Sequence, residues 1–139
     1  MEKIYFAAAI RGGRGDAKLY AEFISHLKKY GEILTEHLGD PNLSHLGERM
    51  TDSEIHDRDI AWLNESTSVV AEVSTPSLGV GYELGRALEK GKKILCLYRH
   101  QKDRRVSAMI AGSKDISCKE YTDMNSAKKH IDEFFKKIS

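Results

Sequence analysis

The chain has 139 residues, room for one domain around a single core and too few for two. Hydrophobic residues make up 40% and charged residues 31%, the balance of a soluble globular protein. A formal net charge of +1 argues against broad nucleic-acid or membrane binding, so any affinity for phosphate must be local.

Residues 3–10, KIYFAAAI, read as a buried strand that ends in the glycine-rich turn RGGRG. That apolar run is too short to cross a bilayer and does not resemble a signal peptide. Asp16 is placed to cap a helix running to about Tyr30, with Leu19, Phe23, Ile24 and Leu27 on one face and Gly31 as its stop. EILTEHL (32–38) reads as a second strand, followed by a polar loop through Pro41 and Gly47. T-D-S-E at 51–54 has capping-box spacing and opens a helix to about Glu65. TSVVAEV (67–73) is a third strand, and STPS turns it into a helix that Gly91 ends. KKILCLY (92–98) makes a fourth strand, and VSAMIAG a short helix after a basic loop. ISCKEY is a fifth strand, and NSAKKHIDEFFKKI closes the chain as an amphipathic helix with Ala127, Ile131, Phe134, Phe135 and Ile138 inward.

Strands alternating with helices imply an α/β domain spanning 1–139, a doubly wound, mostly parallel five-stranded sheet of flavodoxin-like or Rossmann-like type. With the order 2-1-3-4-5, the winding direction reverses between strands one and three, and ligands bind beyond the carboxyl ends there. The IRGGR loop and the STPSLGVGYE loop then face each other across the crevice.

SLGVGYELGRA (77–87) is the stretch with the most chemistry. Gly79, Gly81 and Gly85 suggest backbone cleared for a ligand, but the spacing is one residue longer than a dinucleotide fingerprint and follows the third strand. Glu83 inside it would repel a pyrophosphate, so no nucleotide cofactor is expected. Near a helix N-terminus the Glu83 carboxylate is expected to be ionised, as attack on a sugar anomeric carbon requires. The plainer reading is a solvated first-turn glutamate. Asp59 falls with Ile55, Trp62 and Leu63 on the apolar stripe of its helix, where burial would favour a proton it could lend to a leaving group. It is otherwise a stripe-edge residue satisfied by backbone or an arginine. Tyr5 points toward the same end of the sheet or into the core.

Arg11 and Arg14, with the amides of Gly12 and Gly13, offer a small anion site or form an ordinary solvated turn. Ser107, after two arginines in RRVSAMI, is a phosphate contact or a simple helix cap. The cluster EIHDRD (54–59) and the residues His37, Asp40, His45 and His56 lack metal-ligand spacing, and no metal is expected. Cys96 and Cys118 read as reduced thiols in strands, which points to a reducing compartment, cytoplasmic or nuclear.

Taken together, YFAAAIRGGR, LTEH, IHDRDIAWL, VVAEVSTPSLGVGYELGRA, KKILCLYR and VSAMI resemble the 2′-deoxynucleoside 5′-phosphate N-hydrolases, relatives of the nucleoside 2-deoxyribosyltransferases. The resemblance runs in order from about residue 4 to residue 112. It implies the doubly wound fold, and cleavage of the N-glycosidic bond of deoxynucleoside monophosphates to deoxyribose 5-phosphate and a free base, without a cofactor. It places the nucleophile on Glu83, the accompanying acid on Asp59 and the tyrosine on Tyr5. Substrate contacts fall on Ile10, Arg11, Gly12 and Gly13, on Ser77 and Gly79, and on Ser107 and Met109 of the SAMI motif, with His37 near the base. It further implies a homodimer in which Ser107 reaches the neighbouring subunit's site. Where the family commonly has Gly-Ser before IRGGR, this chain has Ala8-Ala9, so one hydroxyl near the phosphate is missing. The alternatives are a deoxyribosyltransferase, or a nucleotide-binding module without catalysis.

Overall fold

Strand β1 (Glu2–Ala8) sends Ile4, Phe6 and Ala8 to one side of its sheet and Tyr5 and Ala7 to the other, and both sets are buried. Burial on two faces is why the segment reads as an unbroken apolar run rather than an alternating one. The computed structural model describes residues 1–9, 16–39 and 50–139. Along it follow α1 (Ala17–Leu27), β2 (Gly31–Ile33), a 3-10 turn (Glu36–Gly39), α2 (Asp52–Glu65), β3 (Ser68–Glu72), α3 (Leu78–Glu89), β4 (Lys93–Arg99), α4 (Ala108–Ala111), β5 (Ile116–Tyr121) and α5 (Met124–Ile138). The five strands form one all-parallel sheet in the order β2-β1-β3-β4-β5, as the sequence implied.

The sheet divides the buried residues into two clusters, one on each face, where chain length had suggested a single core. On one face Phe6, Val70 and Leu97 pack under Phe23 and Leu27 of α1 and Ile131 and Phe135 of α5. On the other, Tyr5, Val69 and Ile94 meet Leu63 of α2 and Val80, Leu84 and Ala87 of α3. Helix ends are set by local chemistry. Thr51 and Glu54 form the expected capping box, Thr51 Oγ1 accepting from the Glu54 amide at 3.2 Å and Glu54 accepting from the Thr51 amide at 3.0 Å. Asp123 and Ser126 form a second box that starts α5. Gly91 follows α3 with φ +72°, a left-handed turn that glycine adopts without strain.

Three local expectations are corrected. The second strand is not 32–38 but only Gly31–Ile33, and the chain turns into the 3-10 segment straight after it. Gly31 does not stop α1, which ends at Leu27. It is the first residue of β2, where a Cβ would lie 1.9 Å from the Glu2 carbonyl oxygen, so strand contact demands glycine. Asp16 precedes α1 but makes no side-chain cap hydrogen bond, and its carboxylate faces Arg99 instead.

Candidate active site

β1 and α3 deliver the central pair. Tyr5 is 2% exposed on the face that carries α2 and α3, and its hydroxyl donates a hydrogen bond to Oε2 of Glu83. Glu83 is the sixth residue of α3, next to the inward-facing Leu84 and one turn from Val80. The helix dipole acts within about the first turn, so it does not hold Glu83 ionised as expected from sequence. Burial dominates instead and pushes the Glu83 carboxyl up to about 7. The result is a half-buried acid that is close to half ionised at neutral pH and fixed by a phenol from the sheet.

The start of α3 lies beyond the carboxyl end of β3. Ser77 is its N-cap, with Oγ accepting from the Val80 amide at 3.2 Å. The capping hydroxyl keeps its own proton to donate outward. Gly79 is exposed, and a Cβ there would meet only Ser77 Oγ at 3.8 Å. Gly81 and Gly85 have still more room. The fold itself does not require these glycines, although each weakens a helix by about 1 kcal/mol relative to alanine.

α2 packs on α3 and brings the second carboxylate to the same side of the sheet. His56 Nε2 lies 2.9 Å from the Tyr82 hydroxyl, joining the two helices one residue before Glu83 and one turn before Asp59. The sequence reading singled out neither His56 nor Tyr82 as partners, because they are 26 residues apart and each is ordinary alone. Asp59 takes the second of its two expected readings, a stripe-edge acid satisfied by an arginine. It is not buried on the apolar stripe: its side chain is 26% exposed and pairs with Arg58, whose Nε and Nη2 lie 3.0 and 2.9 Å from Oδ1. The reason is that α2 buries only Leu63 fully, so the helix edge stays open to its neighbour's guanidinium. Arg58 also lies 4.8 Å over the Trp62 ring, and that ring sits 5.5 Å from the half-buried His37.

Ser107 caps a different helix. It is exposed at the start of the short helix α4, with Oγ accepting from the Met109 amide at 3.2 Å, and Met109 itself is 83% exposed. Both fall on the outer surface of the single chain. Ile10, Arg11, Gly12 and Gly13, together with Arg14, Asp40 and His45, lie outside the described residues. Cys96 and Cys118 are free thiols on neighbouring strands, in register with each other.

The arrangement joins a carboxylate on α3 to a phenol on β1 within a doubly wound sheet. Comparison with known proteins shows which family and fold the chain shares. The family model for nucleoside 2-deoxyribosyltransferase matches residues 4–132. A putative 2′-deoxynucleoside 5′-phosphate N-hydrolase 1 of Nematostella vectensis is 57% identical over 126 residues, covering 87% of this chain and 86% of that one. The 5-hydroxymethyl-dUMP N-hydrolase of Homo sapiens is 50% identical over 116 residues, covering 82% and 67%. A CMP N-glycosidase of Clostridium botulinum shares the fold with a TM-score of 0.70 at 18% identity, over 95% of this chain and 99% of that one.

Proposed function

Because the chain belongs to the nucleoside 2-deoxyribosyltransferase family, we propose that it is an N-glycosidase that hydrolyses 2′-deoxynucleoside 5′-monophosphates to 2-deoxyribose 5-phosphate and a free base. The observation that supports this reading is the Tyr5–Glu83 pair, a buried phenol that donates to one oxygen of the carboxylate. In the first step Glu83 attacks the anomeric carbon, forming a carbon–oxygen bond as the carbon–nitrogen bond to the base breaks. Asp59 assists the departing base, which leaves with the glycosidic electron pair and takes up a proton. Water then attacks the same carbon, releasing the sugar phosphate and regenerating the Glu83 carboxylate. Tyr5 holds the nucleophile in line. Ser77, Gly79 and the 10–13 turn receive the phosphate, and His37 lies toward the base. The open space at Gly79 and Gly81 suits close approach of the sugar.

The chain acts as a homodimer in this reading, with Ser107 and Met109 completing the partner's site, in keeping with their exposure on the single chain. Incubation of purified protein with a panel of deoxynucleoside and ribonucleoside monophosphates, with chromatography of released base, tests the activity. Base release by the wild type and none by Glu83→Gln is expected. Equal turnover by Glu83→Gln removes the covalent route. Adding an acceptor base separates hydrolysis from transfer, since a transferase would form a new nucleoside. For the shared site, chains inactivated by Glu83→Gln and by Ser107→Glu are co-refolded. Random pairing makes half the dimers mixed, each with one intact site, so about a quarter of wild-type activity returns. No recovery from confirmed mixed dimers refutes the arrangement.

A further inference from the structure

Where β3, β4 and β5 end, a polar network is buried on the sheet face opposite Tyr5 and Glu83. Glu72 is 3% exposed and lies on the same side as Val70 and Tyr121. Its Oε1 accepts from the Ser74 amide at 2.8 Å, and its Oε2 accepts from the Ser74 hydroxyl at 2.8 Å and from the Tyr121 hydroxyl. Ser74 Oγ in turn accepts from the backbone N–H of Arg99 at 2.7 Å. A buried carboxylate satisfied by three donors is a rigid anchor, and here it pins the last residue of β4 to the segment that leads into α3.

The side chain so anchored is half-spent. One guanidinium nitrogen of Arg99 stands 3.5 Å from Oδ1 of Asp16, and the guanidinium makes no hydrogen bond among the described residues. Arginine carries five N–H donors in a planar fork that fits a phosphate bidentately. These donors sit beside Asp16, and the Arg99 backbone is tied to Ser74, three residues before the N-cap Ser77 of α3. Their side chain is 36% exposed, open enough to meet a ligand and enclosed enough for the charge to count.

We propose that Arg99 binds the 5′-phosphate of the substrate and makes the chain favour the monophosphate over the corresponding nucleoside. The proposal rests on the N-hydrolase reading of this same site. Asp16 holds the guanidinium in place through a long ion pair, and the phosphate dianion takes its donors on binding. Glu72 and Ser74 are positioning residues that set the height of the arginine above the sheet. The hydroxyl missing at Ala9 leaves more of the phosphate's charge to this guanidinium.

Steady-state kinetics of the full chain with 5-hydroxymethyl-dUMP and with its dephosphorylated nucleoside test the assignment. Arg99→Gln should raise KM for the monophosphate about 10- to 100-fold, with kcat within about threefold and cleavage of the nucleoside unchanged. Arg99→Lys should recover part of the loss, because it restores charge without the fork. An unchanged KM for the monophosphate, or equal losses on both substrates, overturns the proposal. Should the wild type release no base, the hydrolase reading fails by itself. Calorimetric titration with 2-deoxyribose 5-phosphate then decides the arginine's role: weaker binding to Arg99→Gln than to wild type supports it, and equal or absent binding in both overturns it.

Discussion

Replacing Glu83 by glutamine should make the protein more stable at alkaline pH while removing activity. Burial raises the Glu83 carboxyl from 4.5 to about 7, so the folded state resists ionisation that the unfolded chain accepts freely. Below pH 4.5 both states carry the proton and the acid costs nothing. As pH rises from 4.5 to about 7 the unfolded chain binds fewer protons than the folded one, and stability falls across that window. Above it the full cost is present, about 3 kcal/mol at 1.4 kcal/mol per pH unit. Glutamine keeps the shape and can still accept from the Tyr5 hydroxyl, but it never ionises. Urea unfolding of wild type and Glu83→Gln followed by circular dichroism should therefore coincide at pH 4.5. The curves should diverge in favour of the variant by about 3 kcal/mol at pH 8, or about 10 °C in Tm for a domain of this size. The gap must grow with pH. A difference that is constant from pH 4.5 to 8, or a wild type more stable than the variant at pH 8, refutes the burial argument. Such a gain from losing a reactive group is the expected signature of a site held at a cost to stability.

Further outcomes follow from the same geometry. If Glu83 reacts as its carboxylate, kcat/KM rises with pH on an acidic limb with its midpoint near 7 and levels only about one pH unit higher, and a pH–rate profile flat from 5 to 8 excludes it. Tyr5→Phe removes the donor to Glu83, so kcat should fall about tenfold and the acidic limb move to higher pH; an unmoved limb would show that the phenol does not act on the carboxylate. Leu63→Ala empties the fully buried contact between α2 and the sheet and should cost about 2–5 kcal/mol in urea unfolding, whereas a loss under 1 kcal/mol would mean that α2 is loosely docked. Burial pushes the Cys96 thiol up to about 12, so a thiol-specific dye at pH 7.5 should label it only in denaturant. Rapid labelling of Cys96 in the native protein would contradict that.

Much of this molecule was legible without coordinates. The strand–helix alternation, the capping box at Thr51 and Glu54, the left-handed Gly91 and the inward face of α5 are all written in spacings of a few residues. Such features obey periodicities of 2 and 3.6 that a chain carries wherever it goes, and alternation implies parallel pairing, while the strand order taken with it, 2-1-3-4-5, is the one the fold adopts. The quoted motifs likewise pointed to a family and to Tyr5, Asp59 and Glu83. Tertiary structure decided what those residues experience. Tyr5 and Glu83 are 78 positions apart, and only the packing of α3 on β1 joins them and buries the acid enough to raise it to about 7. Asp59 gained Arg58 and stayed partly open because α2 presses on the core at one residue, a depth that stripe counting does not measure. Asp16 gave up its capping role to face Arg99, 83 residues further along the chain, and Gly31 turned out to serve the approach of β1 rather than the end of α1. Glu72 read as one more residue of a buried strand until Ser74 and Tyr121 were seen to surround it. Spacing fixes which face a side chain takes; its charge and partners depend on desolvation and on distances between remote segments, and those exist only in the folded chain.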